Sequence, residues 1–352
     1  MFSHTHHAHS GRRSSLFEKL GGMFVLLFTL SLTSCIDEDE FSDTPRGNFE
    51  ALWKIMDERY CFFDYKQQTL GVDWNEVRAR YERQFDDGMT EAQQFEVLAN
   101  MLSELRDGHV NLYSSFDLAR NWSWHEDYPK NFSDTLERHY LGTDYRIATG
   151  MKYRILDDNI GYIRCSSFAN AIGSGNLDDI FLYLLPCNAL IIDIRGNGGG
   201  LITSAEKFAG RFTNEELLVG YLRHKDGKGH NDFSPMKEQR LKPSAGIRWQ
   251  KRVCVLTNRS VFSAANEFVK YMKCCPNVTV VGDQTGGGAG MPFSSELPNG
   301  WGVRFSACPM YDRDQNITEF GIQPDYHVQL LQSDLLRNED TIIEFARRLL
   351  RN

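Results

Sequence analysis

Apolar residues recur at helical spacing in three stretches near the start of the foldable region. Phe49, Leu52, Trp53, Met56 and Tyr60 follow Asn48, a candidate N-cap. Trp74, Val77, Tyr81 and Phe85 follow Asp73, with Glu76 three residues on as in a capping box. Phe95, Leu98, Leu102 and Leu105 form the third stripe, behind Thr90 and Gln93. The pattern predicts an N-terminal three-helix subdomain over 48–113, closed by Gly108 as a helix breaker and by a strand at Val110–Tyr113. His109 falls at that junction, where a side chain is expected to be aimed rather than buried.

Residues 114–152 show no period. They hold scattered aromatics, including Trp122, Trp124, Tyr128 and Tyr140, and read as a polar surface excursion or a substrate-contacting segment. From Tyr153 short apolar runs alternate with turns. Strands are predicted at 160–164, 189–194, 251–257 and 278–281, and helices at 177–185, 201–212, 263–273 and 341–350. Pro298-Asn299-Gly300 marks a hairpin between 293–297 and 301–305. Strands alternating with helices make 153–352 an α/β core.

The chain ahead of these elements has a different texture. Arg12, Arg13 and Lys19 precede an apolar run from Leu20 to Leu32, and Thr33-Ser34-Cys35 follows. A basic flank, a short apolar run and small residues are the pattern of a secretory leader. Leu32-Thr33-Ser34-Cys35 resembles a bacterial lipobox, which implies a signal peptide over 1–34 and lipidation of Cys35; an ordinary cleaved leader is the alternative. Met23 inside the leader leaves the start codon open, and His4, His6, His7 and His9 belong to the leader rather than to a metal site. The acidic run Ile36–Glu40 within 35–47 reads as a solvated tether and resembles the surface-export signal of Bacteroidetes lipoproteins. The implied location is the bacterial envelope, with the lipid bilayer as partner through acylated Cys35.

Composition narrows the function classes. Lys and Arg number 39 against 47 Asp and Glu, a formal charge of −8, which argues against a nucleic-acid partner. The cysteines have no regular spacing and no CxxC, so neither a disulfide framework nor a zinc site is predicted, and no cofactor is called for.

Three spots carry chemistry. Ala189–Ile194 is a buried strand that runs into Arg195-Gly196-Asn197-Gly198-Gly199-Gly200. Leu201 stands where a dinucleotide loop needs glycine, and no Gly-Lys-Ser/Thr follows, so the turn is an oxyanion site or a bare tight turn. In Asn258-Arg259-Ser260-Val261-Phe262-Ser263-Ala264-Ala265, Ser263 opens a helix; it is an N-cap or a nucleophile in the positive field of the helix end. Asp107-Gly108-His109 offers the imidazole that a serine nucleophile needs as base.

These spots occur together, in order, with Glu319-Phe320-Gly321-Ile322-Gln323-Pro324-Asp325 behind them and Phe49-x-x-Leu52-Trp53 ahead. The set resembles the tricorn-core and C-terminal-processing serine peptidases over about 48–330. The resemblance implies a ClpP/crotonase-like ββα fold, Ser263 as nucleophile and His109 as base. It also implies an oxyanion hole from Gly198, Gly199 and Ala264, with peptide or unfolded protein as substrate. Processing peptidases place a Lys after a Gly-x-x-Thr-x-Gly turn. Here Gly282-Asp283-Gln284-Thr285-Gly286-Gly287-Gly288 has glycine at that place, which favours the histidine branch. Two departures concern the base: Gly108 replaces a serine, and Asn266 replaces the glutamate expected three residues after the nucleophile. Glu319 is then the candidate to orient His109, with Asp107 in reserve. Asp193 and Arg195 are expected to pin the glycine turn. The 114–152 segment is too short for the family's PDZ module. A non-catalytic peptide- or small-ligand-binding lipoprotein on the same fold is the rival reading, as is a crotonase-like enzyme acting on another acyl group.

Overall fold

The computed structural model describes residues 41–86 and 88–351. The leader, Cys35 and the acidic run to Glu40 lie outside the described residues. Four helices come first: α1 (Pro45–Arg59), α2 (Phe63–Leu70), α3 (Trp74–Glu82) and α4 (Glu91–Ser103). Thr44, not Asn48, caps α1, accepting from the Gly47 N–H with Pro45 in the first turn. Asp73 caps α3 through the N–H groups of Asn75 and Glu76, and Thr90 with Gln93 completes a capping box on α4. The expectation of three helices missed α2, whose Phe63 and Lys66 are both buried.

Two sheets follow. In the first, β3 (Arg146–Ala148), β4 (Met151–Ile155), β5 (Ile160–Arg164), β6 (Ala189–Asp193), β9 (Val253–Thr257), β10 (Val278–Gly282) and β13 (Tyr326–His327) take the order β13-β10-β9-β6-β5-β4-β3. The pairs from β5 to β13 are parallel, and β3 and β4 join antiparallel at one edge. Every residue of β6 and β9 is buried, as expected of central parallel strands covered on both faces. One face is covered by α7 (Ser174–Leu184), α8 (Ile202–Ala209) and α9 (Ala264–Met272), through Leu177, Phe181, Phe208 and Phe268. The other is covered by α6 (Asp134–Leu141) and the last helix, α11 (Thr341–Arg351), through Tyr140, Ile342, Ile343 and Ala346. Two one-turn helices, α5 (Ser123–Glu126) and α10 (Gln332–Leu335), complete the α-helices among the described residues.

The second sheet has the order β2-β1-β12-β7-β8 with β11 also on β12. It comprises β1 (Asn111–Tyr113), β2 (Leu118–Arg120), β7 (Leu217–Leu222), β8 (Lys237–Leu241), β11 (Gly290–Glu296) and β12 (Gly302–Tyr311), all antiparallel. β7 and β8 had no alternation strong enough to announce them: β8 reads Lys-Glu-Gln-Arg-Leu. The excursion at 114–152 is ordered, holding β2, α5, α6 and β3.

Candidate active site

The glycine turn follows β6 and Ser263 follows β9, and these strands are parallel neighbours. Their carboxyl ends therefore deliver both segments to one place, the crest where α/β sheets bind ligands. Two bonds stitch the segments together: the Phe262 N–H donates to the Asn197 carbonyl at 3.0 Å, and the Gly196 N–H donates to Asn258 Oδ1 at 2.9 Å.

Ser263 occupies the N-cap position of α9 but does not cap it. Its backbone sits at φ 58°, ψ −123°, a conformation that non-glycine residues avoid and that calls for a functional account. Its Oγ lies 3.0 Å from His109 Nε2. The turn thus directs the hydroxyl outward to an imidazole 154 positions away in sequence instead of back to its own helix.

His109 comes from the second sheet, just ahead of β1. The structure corrects one expectation here: the ring is aimed, but it is also buried, at 4% exposure. It packs on Phe262 with ring centroids 4.8 Å apart, and Phe262 in turn stacks on Trp124 at 4.1 Å. Gly108 does not cap α4, whose helix ends at Ser103. A Cβ at position 108 would lie 2.7 Å from Trp124 Nε1 and 2.8 Å from Phe262 Cζ, so glycine is there to admit this aromatic wall. Burial lowers the His109 pKa to about 4; Asp107 opposes the shift, and Arg304 and Arg120 reinforce it.

The groups behind the imidazole differ from those expected. Asp107 Oδ1 accepts the His109 main-chain N–H at 2.7 Å, and its Oδ2 accepts the hydroxyls of Tyr60 at 3.0 Å and Ser306 at 2.9 Å. Glu319 makes no bond to His109. Its carboxylate accepts Lys66 Nζ at 3.2 Å and the Ala289 N–H at 3.0 Å. Among the described residues His109 Nδ1 has no partner, so Glu319 is not in direct contact as the orienting group. Burial, then the charge of Asp107, pushes Glu319 up to about 8, against the pull of Lys66. Tyr60, Lys66 and Ser306 were invisible as site residues in the sequence. Lys66 sits on the missed helix, and nothing local marks a lysine that ends 0% exposed.

The three oxyanion candidates divide. Gly199 is corrected as a donor: its N–H is already given to Asn197 Oδ1 at 2.9 Å. Its role is steric. At φ 98° a Cβ there would lie 2.7 Å from the Phe262 carbonyl and 2.9 Å from both Ala264 N and Ser263 Cβ. Among the described residues the N–H groups of Gly198 and Ala264 have no acceptor, and Ala264 is the first residue of α9. Asp193 and Arg195 pin the turn as expected: Arg195 pairs with Asp193 at 2.6 Å and with Asp340 at 2.9 Å, all three buried. Asn266 ties α9 to Thr318 and Thr285 and makes no bond to His109. Ser263 is instead supported through its N–H, which donates to the carbonyl of Gly287 in the lysine-free turn.

Comparison with known proteins agrees with this layout. Residues 159–328 match the model of peptidase family S41, and residues 41–103 match the tricorn protease C1 domain. A crystal structure of a candidate peptidase from Parabacteroides merdae is 51% identical over 88% of this chain and 97% of that one, with a TM-score of 0.84. Mature CPAF, at 12% identity, shares the fold with a TM-score of 0.67 over 87% of this chain and 96% of its own. The carboxy-terminal processing protease CtpA of Bacillus subtilis is 25% identical over 49% of this chain, and the match spans 36% of that protein. Profile, fold and site order converge: the chain belongs to peptidase family S41, a family of serine peptidases.

Proposed function

We propose that this protein hydrolyses peptide bonds with Ser263 as nucleophile and His109 as general base. The observation that carries the reading is the 3.0 Å approach of Ser263 Oγ to His109 Nε2, made by a serine whose strained backbone forgoes helix capping. Ser263 Oγ bonds to the substrate carbonyl carbon as its proton passes to Nε2. The carbonyl oxygen becomes an oxyanion held by the N–H groups of Gly198 and Ala264, with the N-terminal field of α9 behind them. His109 then gives its proton to the departing amine as the C–N bond breaks. Water, deprotonated by the same imidazole, releases the acyl group and restores Ser263. The buried imidazole is neutral at pH 7 and so begins the cycle as a base.

Asp107 is the positioning residue for His109. It holds the main-chain N–H and sets a negative charge beside the imidazolium that forms. Glu319 acts from farther back, as part of the Lys66–Glu319–Asp107 cluster. The substrate is a peptide or an unfolded protein segment. The enzyme is anchored in a bacterial envelope through a lipid on Cys35, a reading that rests on the leader pattern alone.

A fluorophosphonate probe tests the chemistry. The chain is expected to label at Ser263, and Ser263→Ala is expected to lose both label and peptide turnover. Labelling that survives Ser263→Ala would remove the mechanism. Mass spectrometry of the membrane-extracted protein checks the anchor, with a diacylglyceryl adduct on Cys35 expected.

A further inference from the structure

Two cations that the hydrolytic step does not use stand on the sheet whose first strand follows His109. Asn111 on β1 pairs with Arg120 on β2 on one side and with Arg304 on β12 on the other. Directly opposed residues of a sheet point to one face, so both guanidinium groups leave the sheet together, on either side of Asn111. That face is the catalytic one. Ser306, two residues along β12 from Arg304 and hence on the same face, donates to the Asp107 carboxylate that holds His109. Both arginines are near enough to disfavour protonation of His109.

Among the described residues no carboxylate lies within ion-pair distance of either arginine. Arg120 is exposed and rests on the Trp122 ring at 3.9 Å, and among the described residues half-buried Arg304 has no side-chain hydrogen bond. They also oppose one another, since Arg304 disfavours the charged form of Arg120. The buried arginines are matched by acids, Arg195 by Asp193 and Asp340, Arg164 by Glu137 and Arg211 by Asp178, and half-buried Arg223 and Arg259 bond main-chain carbonyls. In a chain of net charge −8, two cations on the face that carries His109 are a local inversion of charge. Guanidinium forks suit a planar carboxylate, which they bind through paired charge-assisted hydrogen bonds.

We propose that Arg120 and Arg304 form a carboxylate-binding subsite, so that this peptidase prefers substrates carrying a carboxylate within a few residues of the cleaved bond. The carboxylate is an Asp or Glu side chain or a free peptide C-terminus. The proposal rests on the peptidase reading and names the substrate class of that same site.

The test uses internally quenched peptides in matched sets. Asp or Glu replaces Asn or Gln at each position around the scissile bond, and each peptide is made as free acid and as amide. The expected ratio of kcat/KM, acid over neutral, is about ten- to a hundredfold for the wild type. It falls to near one in Arg120→Gln/Arg304→Gln and turns toward Lys-containing peptides in Arg120→Glu/Arg304→Glu. Arg304→Lys, which keeps the charge, retains part of the preference. A preference at an internal position in amidated peptides assigns a side-chain carboxylate, and one confined to free acids assigns the C-terminus. Turnover of neutral peptides with no acid preference, or a preference that survives both double variants, overturns the subsite and leaves hydrolysis standing. Absence of hydrolysis together with absence of Ser263 labelling overturns the underlying reading instead.

Discussion

Replacing Lys66 by methionine removes one ammonium from the buried cluster while keeping most of the side chain's volume. Lys66 Nζ lies 3.2 Å from Glu319 Oε1 and 4.4 Å from the Phe320 ring centre, at 0% exposure. In the folded protein Glu319 holds its proton up to about pH 8, against an ordinary value of 4.5. Folding therefore binds a proton across that window, and this group's contribution to stability is full below about 4.5, falls as pH rises, and levels off above about 8. Without Lys66 the counter-charge is gone, so the levelling-off moves to higher pH. The variant's stability keeps falling there by up to about 1.4 kcal/mol per pH unit. Below pH 8 the two curves run parallel, offset by about 1–3 kcal/mol for the lost hydrogen bond and cation–π contact. Urea unfolding followed by tryptophan fluorescence from pH 6 to 9.5 measures both parts, because groups common to the two proteins cancel in the difference. The double variant Lys66→Met/Glu319→Gln is expected to lose the extra fall. Curves that stay parallel through pH 9.5, or an extra fall that persists in the double variant, would refute the assignment of the proton to Glu319.

Three further expectations follow from the geometry. The acid limb of kcat/KM on a neutral peptide is expected near pH 4, with activity rising as His109 loses its proton; a limb at 6.5 would show a solvated imidazole. The same shift makes the stabilising contribution of His109 full above 6.5 and lost as pH falls toward 4. Gly199→Ala is expected to cost about 1–3 kcal/mol and to displace Ser263, whereas Gly198→Ala, whose Cβ meets nothing within 4 Å, leaves melting unchanged. Equal melting losses for the two would count against the steric account. Arg195→Met strands the buried Asp193 and Asp340 and is expected to cost about 3–5 kcal/mol by chemical denaturation.

Local signals in the sequence carried far. Asp73 caps α3, and Thr90 and Gln93 box α4, because capping needs only neighbours in the chain. The apolar runs at β6 and β9 announce central strands, and the parallel pairing of those strands places the glycine turn beside Ser263. What failed lacked a local mark. α2 shows no apolar period, since its inward face is shared between Phe63 and a buried lysine. Gly108 looks like a helix terminator but answers to Trp124 and Phe262.

The chain's own order of residues thus determined the α/β core, the strand-end turns and the types of groups available for catalysis. Each of these follows from periodicity, caps and backbone freedom over a few neighbouring positions. Only the tertiary structure decided that Ser263 bonds His109 instead of its helix, that Asp107 holds the main chain of His109, and that Lys66 meets Glu319. It also decided that Gly199 has no N–H to spare and that Arg120 and Arg304 share a face. Those outcomes depend on which distant atoms reach each polar group once water is excluded, and burial then sets whether each group holds its charge.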